Sequence, residues 1–67
     1  MTKEEAIQEM KQGKKVSHRY FDDNEWMTID EDGMYLLEDG ARCTPLEFWL
    51  YRPGDYWKDG YFLFEEN

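Results

Sequence analysis

The stretch EWMTIDEDGMYLLEDGARC, residues 25–43, decides the fold. Glu25–Asp30 alternates, with Met27 and Ile29 on one face and Trp26, Thr28 and Asp30 on the other, the period of a β-strand. Glu31-Asp32-Gly33 follows, and Asp-Gly is the strongest short-range hairpin signal because the glycine accepts positive φ. Met34–Glu38 reads as the next strand. Asp39-Gly40 repeats the signal, and Ala41–Cys43 completes a short further strand. Three strands joined by tight turns make an antiparallel meander.

Working outward, Val16–Phe21 has β-favouring content and reads as a preceding strand, closed by the turn residues Asp22-Asp23-Asn24. Before it, Thr2-Lys3-Glu4-Glu5 forms a capping box, Ala6, Ile7 and Met10 share one helical face, and Gly13 suits a left-handed helix end. The spacing predicts a helix over 3–12. Downstream, Thr44-Pro45-Leu46-Glu47 is a second capping box with proline at the first helical position. Leu46, Trp49 and Leu50 supply its expected apolar face, and Pro53 ends it after about two turns. Residues 53–55 read as a loop, and Tyr61–Phe64 as a buried final strand. The expectation is one domain over residues 1–67, of α+β class, with a small antiparallel sheet of four to five strands packed with two short helices in the order α-β-β-β-β-α-β.

A chain of 67 residues buries a limited core, and its one cysteine, Cys43, rules out an internal disulfide. Five Tyr, four Phe and three Trp must therefore carry the stability, with self-association as a second source. The absence of disulfides favours a reducing compartment. Met1–Lys15 is charged throughout with no apolar core, and no apolar run approaches the roughly 20 residues that span a bilayer, so a cytoplasmic protein is expected. The net charge of −8, from 16 acids against 8 bases, opposes direct binding to nucleic acid or to an anionic membrane. It permits a protein partner with a basic surface, although acidic surfaces also serve solubility alone, and a structural accessory domain with no ligand is a further alternative.

No catalytic constellation stands out, so an enzyme is not expected and no cofactor is implied. His18 and Cys43 are a conceivable base and nucleophile. The plainer reading makes Cys43 a small buried apolar residue and His18 a partly exposed strand side chain. Asp22 and Asp23 lack anything that desolvates them, as a general acid requires. Asp30-Glu31-Asp32-Gly33 lacks the remainder of a calcium loop. Between Tyr20 and Ala41 stand eight acids and no base. Asp22, Asp23, Glu25, Asp30, Glu31 and Asp32, together with Trp26, are the candidate partner-binding residues, expected to give one sheet edge a strong negative potential. Such an edge also resists edge-to-edge aggregation. Arg19, Tyr20 and Arg42 are candidate ligand-binding residues. A guanidinium beside Tyr20 and Trp26 has the donors and ring faces to hold a phosphorylated, nucleotide-like small molecule.

Several features in order resemble a family of very small phage and prophage proteins built on a domain of unknown function. They are Glu5-Ala6-Ile7, Gly13-Lys14-Lys15-Val16, the aromatic hairpin, Thr44-Pro45-Leu46-Glu47-Phe48-Trp49, and Trp57 with the aromatic C-terminal strand. The family includes Thoeris anti-defence proteins that sequester a cyclic nucleotide signal and an anti-CRISPR protein. The resemblance implies a small α+β binding protein directed at host defence in the host cytoplasm, as an inhibitor or as a sponge for a nucleotide-like signal. Arg42-Cys43 and the longer Tyr51–Trp57 segment depart from the family pattern, so the resemblance carries the fold and not individual ligand contacts.

Overall fold

The computed structural model describes residues 1–65. Helix α1 (Lys3–Lys11) begins where the sequence places it. The Glu5 N–H donates to Thr2 Oγ1 at 3.2 Å and the Thr2 N–H to Glu5 Oε1 at 2.9 Å, satisfying two donors that a helix start leaves orphaned. At the other end Gly13 turns to φ +85°, and the N–H groups of Gly13 and Lys14 donate to Met10 O and Glu9 O.

Five strands follow: β1 (Val16–His18), β2 (Met27–Ile29), β3 (Tyr35–Leu37), β4 (Arg42–Cys43) and β5 (Tyr61–Leu63), with helix α2 (Pro45–Leu50) between the last two. They form one antiparallel sheet in the order β4-β3-β2-β1-β5, with Val16 opposite both Met27 and Leu63, and Tyr35 opposite both Ile29 and Cys43. The α+β class and the order α-β-β-β-β-α-β are those the sequence indicates. The strands are shorter than their β-favouring runs because the turns consume their ends. The N–H groups of Phe21, Gly33 and Gly40 donate to His18 O, Asp30 O and Leu37 O and reverse the chain there.

The register divides the sheet into two faces. Val16, His18, Met27, Tyr35 and Tyr61 face both helices and, with Ala6, Met10 and Phe48, build the buried interior. Ser17, Thr28, Leu36, Arg42 and Phe62 alternate onto the other face. There the buried hydroxyls of Ser17 and Thr28 donate to Glu25 O and Lys14 O, each at 2.8 Å. Trp26 shares this face, half-buried, with Lys15 Nζ 4.2 Å above its ring and the Phe64 ring 6.5 Å away.

Three expectations need correction. Of the expected apolar face of α2, Trp49 packs against the core but Leu46 and Leu50 do not: Phe48 is 3% exposed, whereas Leu46 and Leu50 are 78% and 64% exposed. In a six-residue helix the burying direction goes to the side carrying rings. Phe48 stacks 5.1 Å from Tyr35, and Trp49 meets Phe48 edge-on at 4.8 Å while donating its Nε1–H to Tyr35 Oη at 2.8 Å. The final strand is an edge strand, so Tyr61 is buried but Phe62 and Leu63 are exposed. Finally, Asp55, read as the end of a loop over 53–55, opens a single 3₁₀ turn, Asp55–Trp57.

The α2 correction has a direct check in urea denaturation. Phe48→Ala should destabilise the protein by about 3–5 kcal/mol, the usual cost of deleting a buried phenylalanine. Leu46→Ala should stay within about 0.5 kcal/mol, as surface changes do.

Candidate functional site

Strand directions decide where the candidate residues lie. In an antiparallel meander alternate connections emerge at the same end. The β1–β2 connection, carrying Asp22, Asp23 and Glu25, therefore shares an end with the β3–β4 turn, carrying Glu38 and Asp39. The β2–β3 turn, carrying Asp30, Glu31 and Asp32, lies at the opposite end. The eight acids thus occupy two ends of the sheet and not one edge.

The two ends are electrostatically unlike. At the β2–β3 end, Arg42 reaches from β4 to donate through Nε to Asp30 Oδ2 at 2.8 Å, and its Nη2 lies 2.7 Å from the same oxygen and 3.2 Å from Asp32 Oδ2. Desolvation disfavours the charged form of Asp30. The N–H groups of Met34 and Asp32 and the Arg42 guanidinium outweigh that effect and hold its carboxyl below the usual range. Among the described residues none of Asp22, Asp23, Glu25, Glu38 and Asp39 has an ion pair. Two of these carboxylates also shape their turns: Glu25 Oε1 accepts from the Asp22 N–H at 3.2 Å and Asp39 Oδ1 from the Ala41 N–H at 2.9 Å.

Aromatic rings adjoin the unpaired acids. Strand β5 starts where β1 finishes, because His18 pairs with Tyr61, and this brings the 3₁₀ turn beside the β1 exit. Tyr20 and Tyr56 meet there edge-on at 5.9 Å, 57% and 70% exposed. Arg19 lies at the same exit, its Cζ 5.8 Å from the Tyr20 ring, packed so closely on Gly60 that a Cβ there would collide with the guanidinium. The structure therefore brings Arg19 and Tyr20 together but not Arg42, which sits at the other sheet edge in the grip of two carboxylates. The ring neighbours of Tyr20 are His18, Tyr56 and Trp57, and Trp26 is not among them.

Beneath Tyr20 the structure buries a residue expected to be partly exposed. His18 is enclosed by Trp57 at 4.6 Å, Tyr61 at 4.5 Å, Tyr20 and Phe21. Its Nδ1 accepts from the Tyr20 N–H at 3.1 Å, which leaves Nε2 to carry the proton and donate to Asp59 O at 2.7 Å. The neutral ring thus ties the β1 exit to the approach to β5. The signal available in the sequence is its position two residues from Val16 on the inward-facing register. Cys43, half-buried, has its thiol pushed up by burial, which makes it a poor nucleophile. Among the described residues no group of three or more His, Cys, Asp and Glu side chains is placed to hold a metal ion, and no helix is long and apolar enough to cross a membrane.

Compared with family models, curated proteins and solved structures, the chain matches none.

Burial pushes the His18 imidazole below its ordinary 6.5, and the nearby Arg19 charge adds to this against the Asp59 carbonyl. Between the folded value and 6.5 the unfolded chain binds more protons, so stability rises with pH through that window. His18's contribution is complete above about pH 6.5 and is lost as the pH falls toward the folded value. An NMR titration should place the ring's midpoint below that of a free histidine, with the urea midpoint declining over the same interval. A ring titrating at or above the ordinary value would contradict the assignment.

Proposed function

We propose that the protein works by contact and not by turnover, as a non-enzymatic inhibitor that occupies a basic surface on a protein partner. The observation that carries this reading is the gathering of Asp22, Asp23, Glu25, Glu38 and Asp39 at one sheet end beside exposed Tyr20 and Tyr56. Carboxylates with no ion pair among the described residues steer a cationic surface and fix its orientation. Tyrosines held by ring contacts add apolar contact area with few rotatable bonds, the side-chain type that concentrates binding energy at interfaces. A surface kept acidic for solubility alone needs the charges but not the paired rings. The resemblance to small phage proteins extends the reading to a component of host defence as the partner, met in the host cytoplasm.

The discriminating variant is Asp22→Asn/Asp23→Asn/Glu25→Gln, with Tyr20→Ala as the aromatic counterpart. Capture of the host partner should slow by about tenfold or more at low salt in the triple variant, and the difference should shrink as salt screens the field. Tyr20→Ala should instead shorten the lifetime of the complex. Capture that ignores both the triple substitution and the salt concentration would rule the reading out.

A further inference from the structure

At the other end of the molecule, α1, the β2–β3 turn and α2 enclose a groove of about 560 Å³. This is the size of sites that take small organic ligands. Its apolar surface comes from Ile7, Ile29, Tyr35 and Trp49, and its α1 wall also presents Lys3 and Lys11. Lys3, Ile7 and Lys11 are spaced i, i+4, i+8 and so share one helical face.

Three hydrogen-bond donors in this groove have no acceptor among the described residues. Lys14, Arg42 and Lys58 each have a carboxylate partner, whereas Lys3 and Lys11 have none, although the chain has twice as many acids as bases. Lys3 lies with its Nζ 4.2 Å over the Trp49 ring. The third donor is Tyr35: its Oη accepts from Trp49 Nε1, but its own proton goes to no described group. Tyr35 is only 2% exposed, and burial raises its pKa, so the hydroxyl stays protonated. The acids across the groove do not answer these donors. Asp30 is committed through both oxygens to Arg42, Met34 and Asp32, and Glu31 is exposed.

We propose that this groove binds a small molecule with a flat apolar body and an anionic group, the body lying on Ile7, Ile29 and Trp49 and the anion taken by Lys3 or Lys11. The two ammonium groups spring from positions eight residues apart, about 12 Å along the helix axis. An elongated ligand with an acidic group at each end therefore fits better than a compact one. The net charge of −8 opposes the approach of any anion, but at physiological ionic strength that field is screened beyond about 8 Å. Affinity accordingly rests on the local lysines and the apolar surface. This site is independent of the acidic, tyrosine-bearing end.

The test is an NMR titration of the whole chain with 2-naphthoate, with uncharged 2-naphthalenemethanol as the matched probe. Naphthoate should shift the Trp49 indole N–H and the backbone signals of α1 and the β2–β3 turn, leaving Tyr20 and Tyr56 unmoved. The alcohol should bind about tenfold more weakly, the worth of a charge-assisted contact, and Lys3→Gln/Lys11→Gln should abolish that preference for the acid. Lys11 is exposed and Lys3 partly so, and the same spectra report whether the variant is folded. Equal binding of acid and alcohol, retention of the preference by the folded double variant, or shifts scattered over the whole chain would each overturn the proposal.

Discussion

Everything in this molecule hangs on aromatic packing against one face of a five-stranded sheet. Tyr35 lies 5.1 Å from Phe48, Trp49 meets both edge-on, and His18 is held between Trp57 and Tyr61. In a chain with one cysteine, such rings are the means of burying enough apolar area with few residues. They also set the spacing between layers. Two helices of nine and six residues, each pinned by a capping box, present a few side chains apiece to the sheet. Ala6 and Met10 bring α1 close over β1 and β2, while Phe48 and Trp49 hold α2 over β3 and β5.

That packing uses polar atoms as well as rings. The Trp49 indole donates to Tyr35, the Tyr61 hydroxyl to Trp57 O, and His18 bridges Tyr20 N and Asp59 O. Each bond joins segments distant in sequence or closes a turn, and each would cost free energy if left unmade in the interior. Arg52 belongs to the same group. Its guanidinium stacks 3.9 Å from the Phe48 ring and donates to Phe48 O at 3.0 Å, and so closes the C-terminal end of α2. The interior thereby specifies one arrangement of its rings, which fixes the positions of Tyr20 and Tyr56 outside it.

The sequence disclosed what depends on local chemistry. Both capping boxes, the Gly13 helix end and the Asp-Gly turns at Gly33 and Gly40 are set by residues within four positions of one another, and all are present. The facing of Met27 and Ile29 against Trp26 and Thr28 was likewise readable, because the strand period is fixed. What was hidden depends on contacts across the chain. A six-residue helix offers too few apolar positions to choose between the Leu46–Leu50 side and the Phe48 side. The choice is made by Tyr35, thirteen residues upstream of Phe48. His18 looks like an ordinary strand residue until Trp57 and Tyr61 close over it. Arg42 looks available until the β2–β3 turn delivers Asp30 and Asp32 to it, since charge counting along a sequence does not say which charges meet.

The same topology explains why two unlike surfaces coexist on so small a body. A meander sends its connections to alternate ends, and here the turn residues are acidic at both. Among the described residues only the β2–β3 turn has carboxylates paired to a guanidinium, one Arg42 against Asp30, Glu31 and Asp32, so the charge there is offset in part. The adjacent groove presents Lys3 and Lys11, while the five carboxylates at the far end have no ion pair among the described residues. A body 28 × 28 × 20 Å in extent thus holds both an acidic turn end and a groove that presents two lysines without carboxylate partners among the described residues.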